Sequence, residues 1–135
     1  MALEIAQRER EGIVILDLKG RITVGEEAGT LRMEFGKFPG AANVILNLRD
    51  VDYIDSTGLG ALVLGFTSLR KRGGELKLEN LSRRNVELLV FTKLTTVFEI
   101  FNDEQDAVNS FFPDREIHHF DILSFVKEQT GEASP

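Results

Sequence analysis

The run Val44-Ile45-Leu46-Asn47-Leu48 constrains the fold more than any other stretch of this chain. It is short, opens on two β-branched residues and is bounded by polar sequence, so it reads as a central strand buried on both faces. Such a strand needs covering layers above and below it, which points to an α/β domain. The neighbouring segments supply those layers. Leu3 and Ile5 alternate with polar residues up to Arg10, a half-buried strand, and Ile13 to Leu18 is a second. The two residues between them, Glu11-Gly12, predict an antiparallel hairpin. Lys19-Gly20 ends the second strand. Val24, Ala28, Leu31, Phe35 and Phe38 recur at helical spacing, and Pro39-Gly40 stops that helix.

After the central strand, a loop through Tyr53-Ile54-Asp55 leads to a helix from about Thr57 to Arg72. Its core stripe is Leu59, Leu62, Val63, Phe66 and Leu69, while Gly58, Ala61, Gly65 and Ser68 form a face with little side chain. Arg70-Lys71-Arg72 complements the dipole at its end, and Gly73-Gly74 caps it. Glu75 to Glu79 alternates as a strand. Ser82 caps a helix whose apolar face is Val86, Leu89 and Val90, Val97 to Phe101 is a further strand, and Asp103 caps a last helix that runs through Phe111 to Pro113. The expected architecture is a single α/β domain over residues 1–112, with a mixed sheet of about 4–6 strands, an N-terminal hairpin and about 4 helices. Residues 113–135 form a C-terminal extension, expected to be helical over 122–129 from a cap at Asp121.

Composition narrows the function. The chain has 135 residues and a net charge of −6, which argues against a non-specific nucleic-acid binder. Half of that charge lies in the extension, where Arg115 and Lys127 are set against Asp114, Glu116, Asp121, Glu128 and Glu132. Cysteine is absent, so disulfides, cysteine zinc sites, iron–sulfur clusters and thiol catalysis fall together. The N-terminus lacks a basic start followed by an apolar stretch, and no apolar run approaches the roughly 20 residues of a spanning helix. A cytoplasmic protein without direct membrane insertion is the expectation.

The chemistry concentrates at Asp55-Ser56-Thr57, where the loop beyond a parallel strand meets a helix start. Taken alone, the triplet is a helix N-cap. Sharper readings fail. Gly58-Leu59-Gly60 begins a dinucleotide fingerprint, but Val63 stands where its third glycine belongs. Gly60 and Gly65 have P-loop spacing, yet Phe66 replaces the lysine. Ile54 removes the first glycine of a nucleophile elbow around Ser56. The histidines, His118 and His119, lie in the extension, so Ser56 lacks an adjacent base and an enzyme is not expected. Asp50, Asp52 and Asp55 have the spacing of part of a calcium loop without its downstream glycine and glutamate. No metal or cofactor is implied.

The stretch Val44 to Gly60, and above all Asp55-Ser56-Thr57-Gly58-Leu59-Gly60, resembles the signature of the STAS domain, the family of sulfate transporters and anti-sigma factor antagonists. Gly20-Arg21-Ile22 resembles the family's second strand end, Gly73 to Leu78 the strand after its central helix, and Leu94 to Phe101 its closing strand. The likeness covers about residues 3–112; Thr23 departs from the acidic residue often found after the second strand. It implies a stand-alone anti-sigma factor antagonist. In that family the serine matching Ser56 is phosphorylated by an anti-sigma factor, a serine kinase of the histidine-kinase-like ATPase fold. The unmodified antagonist binds that kinase, phosphorylation releases it, and a phosphoserine phosphatase resets it. Asp55, Thr57, Gly58, Leu59, Gly60 and Tyr53 would form the switch surface, on a monomer or weak dimer. The alternative is a non-enzymatic STAS adaptor of a membrane transport complex, which would bind an ATPase without needing the modification.

Overall fold

The computed structural model describes residues 3–38, 40–117, 122, 123 and 125. Strand β1 (Glu4–Arg10) and strand β2 (Ile13–Ile22) form the expected hairpin. Glu11 and Gly12 both take positive φ, 53° and 82°, the left-handed two-residue turn that matches strand twist. Helix α1 (Glu26–Gly36), strand β3 (Asn43–Ile54), helix α2 (Ser56–Lys71), strand β4 (Glu75–Glu79), helix α3 (Arg83–Phe91), strand β5 (Ile100–Phe101) and helix α4 (Glu104–Asn109) follow. The sheet runs β1-β2-β3-β4-β5, with β1 antiparallel to β2 and every other pair parallel.

Strand alternation divides the core in two. Leu16, Leu18, Val44, Leu46, Leu48, Leu76 and Leu78 meet the buried faces of α1, α2 and α3. Ile13, Ile15 and Ile45 point the other way, onto Phe101 and the Ala107–Val108 face of α4. The central run is therefore covered on both sides, as its composition requires. The low-relief face of α2 does packing work too: Gly65 lies against the Phe35 ring of α1, with no room for a Cβ.

Four boundaries differ from the sequence reading. Strand β2 continues past Gly20 to Ile22, with irregular register on either side of Lys19-Gly20. Strand β3 continues through the stretch read as a loop, because Val51 and Ile54 are buried and Tyr53 and Ile54 pair with Arg21 and Ile22. At the chain's other end, Lys93 in the left-handed region starts a 3₁₀ turn over Leu94–Thr96, leaving only two residues to pair as β5. Phe98 turns inward instead, its ring 5.4 Å from that of Phe66. Helix α4 stops at Asn109, short of Phe111. Val24, placed on the α1 stripe from spacing, lies outside that helix and is 68% exposed. In the extension, Ile122 packs against the larger core. Most of the helix expected over 122–129 lies outside the described residues, as do His118 and His119.

The α4 side of the sheet carries a polar row that the strand patterns do not announce. Asp17, Asn47 and Glu79 are register neighbours on β2, β3 and β4. Asn47 Nδ2 donates to Asp17 Oδ1 at 2.8 Å, and Asn80 Nδ2 donates to both Asn47 Oδ1 and Glu79 Oε2 at 3.2 Å. Arg8 donates to Asp17 at 2.7 Å and to Glu104, which also accepts from Arg10 at 2.9 Å. Glu79 is fully buried, and its Oε1 meets no donor unless a proton lies between it and Glu104. Burial, then the Glu104 carboxylate, push the Glu79 acid up to about 8, while Arg8 holds Glu104 ionised and well below the usual range. The pair thus carries its shared proton on Glu79 at neutral pH. The folded state binds this proton where the unfolded chain has lost it. Its stabilising contribution is complete below the ordinary carboxyl range and is lost as pH rises through about 8. Thermal melts should show the wild-type midpoint falling between about pH 5 and about pH 8.5, with much of that fall absent in Glu79→Gln. Parallel pH profiles of the two proteins would show that Glu79 folds already ionised.

Candidate functional site

Beyond the C-terminal ends of β2 and β3, the chain turns into α2 on a frame of backbone hydrogen bonds. The Asp55 amide donates to the Ile22 carbonyl at 3.2 Å, extending the ladder by one residue. The Asp55 side chain then works in two directions. Oδ1 accepts the Gly58 amide at 2.7 Å, capping α2, and Oδ2 accepts the Val24 amide at 2.9 Å, tying the cap to the β2–α1 loop. These amide donors, that of Gly58 foremost, hold the Asp55 carboxyl below its ordinary range. Asp55 therefore orients the helix start through its own cap.

Gly58 is buried directly on β2. A Cβ there would fall on the Ile22 carbonyl oxygen and lie 2.6 Å from its carbon. Gly60, two residues on, is exposed and would meet nothing within 4 Å. Leu59 points inward, 7% exposed. The first turn of α2 is thus clamped by Asp55 on one side and seated on Ile22 on the other. Ser56 and Thr57 stand on the remaining, solvent-facing side, and both are exposed. Among the described residues the Ser56 hydroxyl has no hydrogen-bond partner.

A groove of about 400 Å³ opens beside Ser56, between the end of β3 and helix α3. Tyr53, Leu59, Leu88 and Phe91 give it an apolar lining, and Arg84 stands on its α3 side. Tyr53 is 41% exposed and Phe91 90%, large aromatic surface for a domain of this size. The Arg84 guanidinium carbon lies 5.6 Å from the Tyr53 ring centroid. Helix α3 is held to β3 by buried Asn85, whose Nδ2 donates to the Val51 carbonyl at 3.1 Å.

The structure brings Tyr53, Asp55, Ser56, Thr57, Gly58, Leu59 and Gly60 to one end of the sheet, but in different roles. Asp55 and Gly58 build the frame, Leu59 reaches the core, and Tyr53, Ser56, Thr57 and Gly60 reach solvent. Arg84, Leu88 and Phe91 join them unannounced. The available signal was Phe91, an aromatic residue off the apolar stripe of α3. Among the described residues, no group of three or more His, Cys, Asp or Glu side chains could hold a metal, and no helix is long and apolar enough to cross a membrane.

The STAS domain family model matches residues 4–107. A Bacillus subtilis (strain 168) protein named anti-sigma-B factor antagonist is 36% identical over 109 residues, which is 80% of this chain and 99% of that one. Two solved structures share the fold. A Thermotoga maritima protein superposes with a TM-score of 0.72 at 24% identity, over 78% of this chain and 92% of that one. The Bacillus cell fate determinant SpoIIAA in its phosphorylated form superposes with a TM-score of 0.62 at 20% identity, over 80% of this chain and 99% of that one.

Proposed function

This chain belongs to the STAS domain family, and on that premise we propose that it is an anti-sigma factor antagonist of the cytoplasm whose hold on its partner is switched by phosphorylation of Ser56. The partner is an anti-sigma factor that is also a serine kinase of the histidine-kinase-like ATPase fold, and a phosphoserine phosphatase reverses the modification. One observation carries this reading. Ser56 offers an exposed, unengaged hydroxyl on a helix start that Asp55 and Gly58 hold rigid without it. In the transfer, Ser56 Oγ bonds to the γ-phosphorus of ATP, the bond from that phosphorus to the bridging oxygen breaks, ADP leaves, and the hydroxyl proton passes to a base on the kinase.

The phosphate adds about −1.5 to −2 charges at the amino end of a helix, where negative charge is tolerated. None of the contacts that fix the first turn uses the Ser56 side chain, so modification changes the surface and leaves the fold in place. The test mixes the protein with ATPase-fold anti-sigma factors and Mg-ATP and reads intact mass and the modified residue. One phosphate on Ser56, and none on Ser56→Ala, is the expected result. Absence of transfer with every such partner, or transfer to another residue, rejects the switch.

A further inference from the structure

We propose that Arg84 is the internal counter-cation of phosphorylated Ser56: the phosphate draws the guanidinium from the Tyr53 ring, and the resulting pair bridges the groove between α2 and α3. The proposal rests on the phospho-switch reading above and adds how the mark is read within the protein.

Ser56 and Arg84 line the same groove from opposite elements, the start of α2 and the first turn of α3. Both backbones are fixed. Ser56 follows the doubly bonded Asp55 cap. Arg84 precedes Asn85, which is 1% exposed and bonded to the Val51 carbonyl, and whose amide donates to the Ser82 cap. What can move is the long Arg84 side chain, which is exposed. Among the described residues it is paired with no carboxylate, whereas Arg83 and Glu87 beside it are engaged. The guanidinium faces the Tyr53 ring. An exposed cation–π contact is weak beside a bidentate, charge-assisted pair between a guanidinium and a phosphate dianion.

The other titratable groups lining the groove do not compete for that role. The Asp55 oxygens already accept the Gly58 and Val24 amides. Glu87, which also lines the groove, is engaged. Among the described residues that line the groove, Arg84 is the cation. The consequence is geometric as well as electrostatic. A phosphoserine–arginine bridge lies over the apolar floor formed by Leu59, Leu88 and Tyr53 and withdraws that floor from a partner. Phosphorylation then masks a docking groove in addition to placing charge beside it.

The test needs no kinase. Phosphoserine is installed at position 56 during translation, in the wild-type chain and in Arg84→Ala and Arg84→Lys versions, and the phosphate is titrated by phosphorus NMR. The second ionisation, ordinarily near pH 6, is expected at least about half a unit lower in wild type than in Arg84→Ala, with Arg84→Lys between them. Any effect of the helix end is common to all three and cancels. Tyr53 is the only tyrosine and tryptophan is absent, so intrinsic fluorescence reports this ring alone. It should change between modified and unmodified wild type and stay constant in the Arg84→Ala pair. Equal phosphate ionisation in wild type and Arg84→Ala overturns the proposal. Because the phosphoserine is built in, this outcome is separate from a failure of kinase transfer, which would count against the switch itself.

Discussion

Gly58→Ala is expected to destabilise the domain by about 3 kcal/mol or more, whereas Gly60→Ala should stabilise it by about 0.5–1 kcal/mol. The two positions look alike in the motif, and their surroundings separate them. At Gly58 the added methyl would overlap the Ile22 carbonyl oxygen and lie 2.6 Å from its carbon and 2.9 Å from its Cγ2. These are mostly main-chain atoms, and they cannot turn aside as a rotamer can. Nor can the strand retreat cheaply. Ile22 pairs with Ile54, and its carbonyl accepts the Asp55 amide at 3.2 Å, so moving it breaks the ladder where the site is built. The helix must lift instead, which opens the Leu59 and Leu62 contacts with the core. At Gly60 nothing lies within 4 Å of the added carbon, and alanine gains only its helix propensity. Urea denaturation of the two variants against wild type measures both signs. Equal stability of all three would mean that α2 is not seated on β2 as described.

That contrast marks where sequence reading stops. The order of strands and helices was legible because each element carries its own local signal. Val44 to Leu48 is a continuous apolar run, Glu11-Gly12 has turn chemistry, and Asp55, Ser82 and Asp103 each cap the helix they precede. Asp55-Ser56-Thr57 stood out as a candidate site because it combines such a cap with a family resemblance. What a side chain meets across the sheet leaves no comparable trace. Nothing near Gly58 in sequence names Ile22, which becomes its neighbour only once β2 continues past its glycine. Glu79 sits in an ordinary alternating strand, and its burial follows from α4 and Arg8 arriving from opposite ends of the chain. Arg84 reads as a surface residue of α3 until the Asn85 anchor brings it beside Tyr53. The loop expected after Leu48, through Tyr53-Ile54-Asp55, failed up to Ile54 for the same reason. Its charged residues, Arg49, Asp50 and Asp52, suggest solvent, but pairing with β2 holds the backbone extended and lets only Val51 and Ile54 turn inward.

Ser56→Asp is expected to weaken binding to the cognate anti-sigma factor by about 100-fold, with Ser56→Ala within about threefold of wild type. A hundredfold loss needs about 2.7 kcal/mol. One charge about 4 Å from a partner carboxylate, at an effective dielectric near 20, costs roughly 4 kcal/mol before salt screening. A single aspartate thus suffices, and phosphoserine, with more charge and bulk, should exceed it. Alanine keeps the surface neutral and removes a hydroxyl that has no partner among the described residues, so the unmodified contact survives. Unfolding does not offer an alternative cause. Position 56 opens a 16-residue helix, and a carboxylate there interacts favourably with the helix dipole, by about 0.3–1 kcal/mol. Ser56→Asp should therefore melt at or slightly above the wild-type midpoint while binding far more weakly. Titration calorimetry against the partner, with thermal melts on the same samples, reads both quantities. The loss should shrink at high salt, since the repulsion is between charges at a hydrated surface. Equal affinity of the Ala and Asp proteins would reject an electrostatic switch at Ser56, and a lowered melting point in the Asp protein would show that the first turn cannot carry the charge.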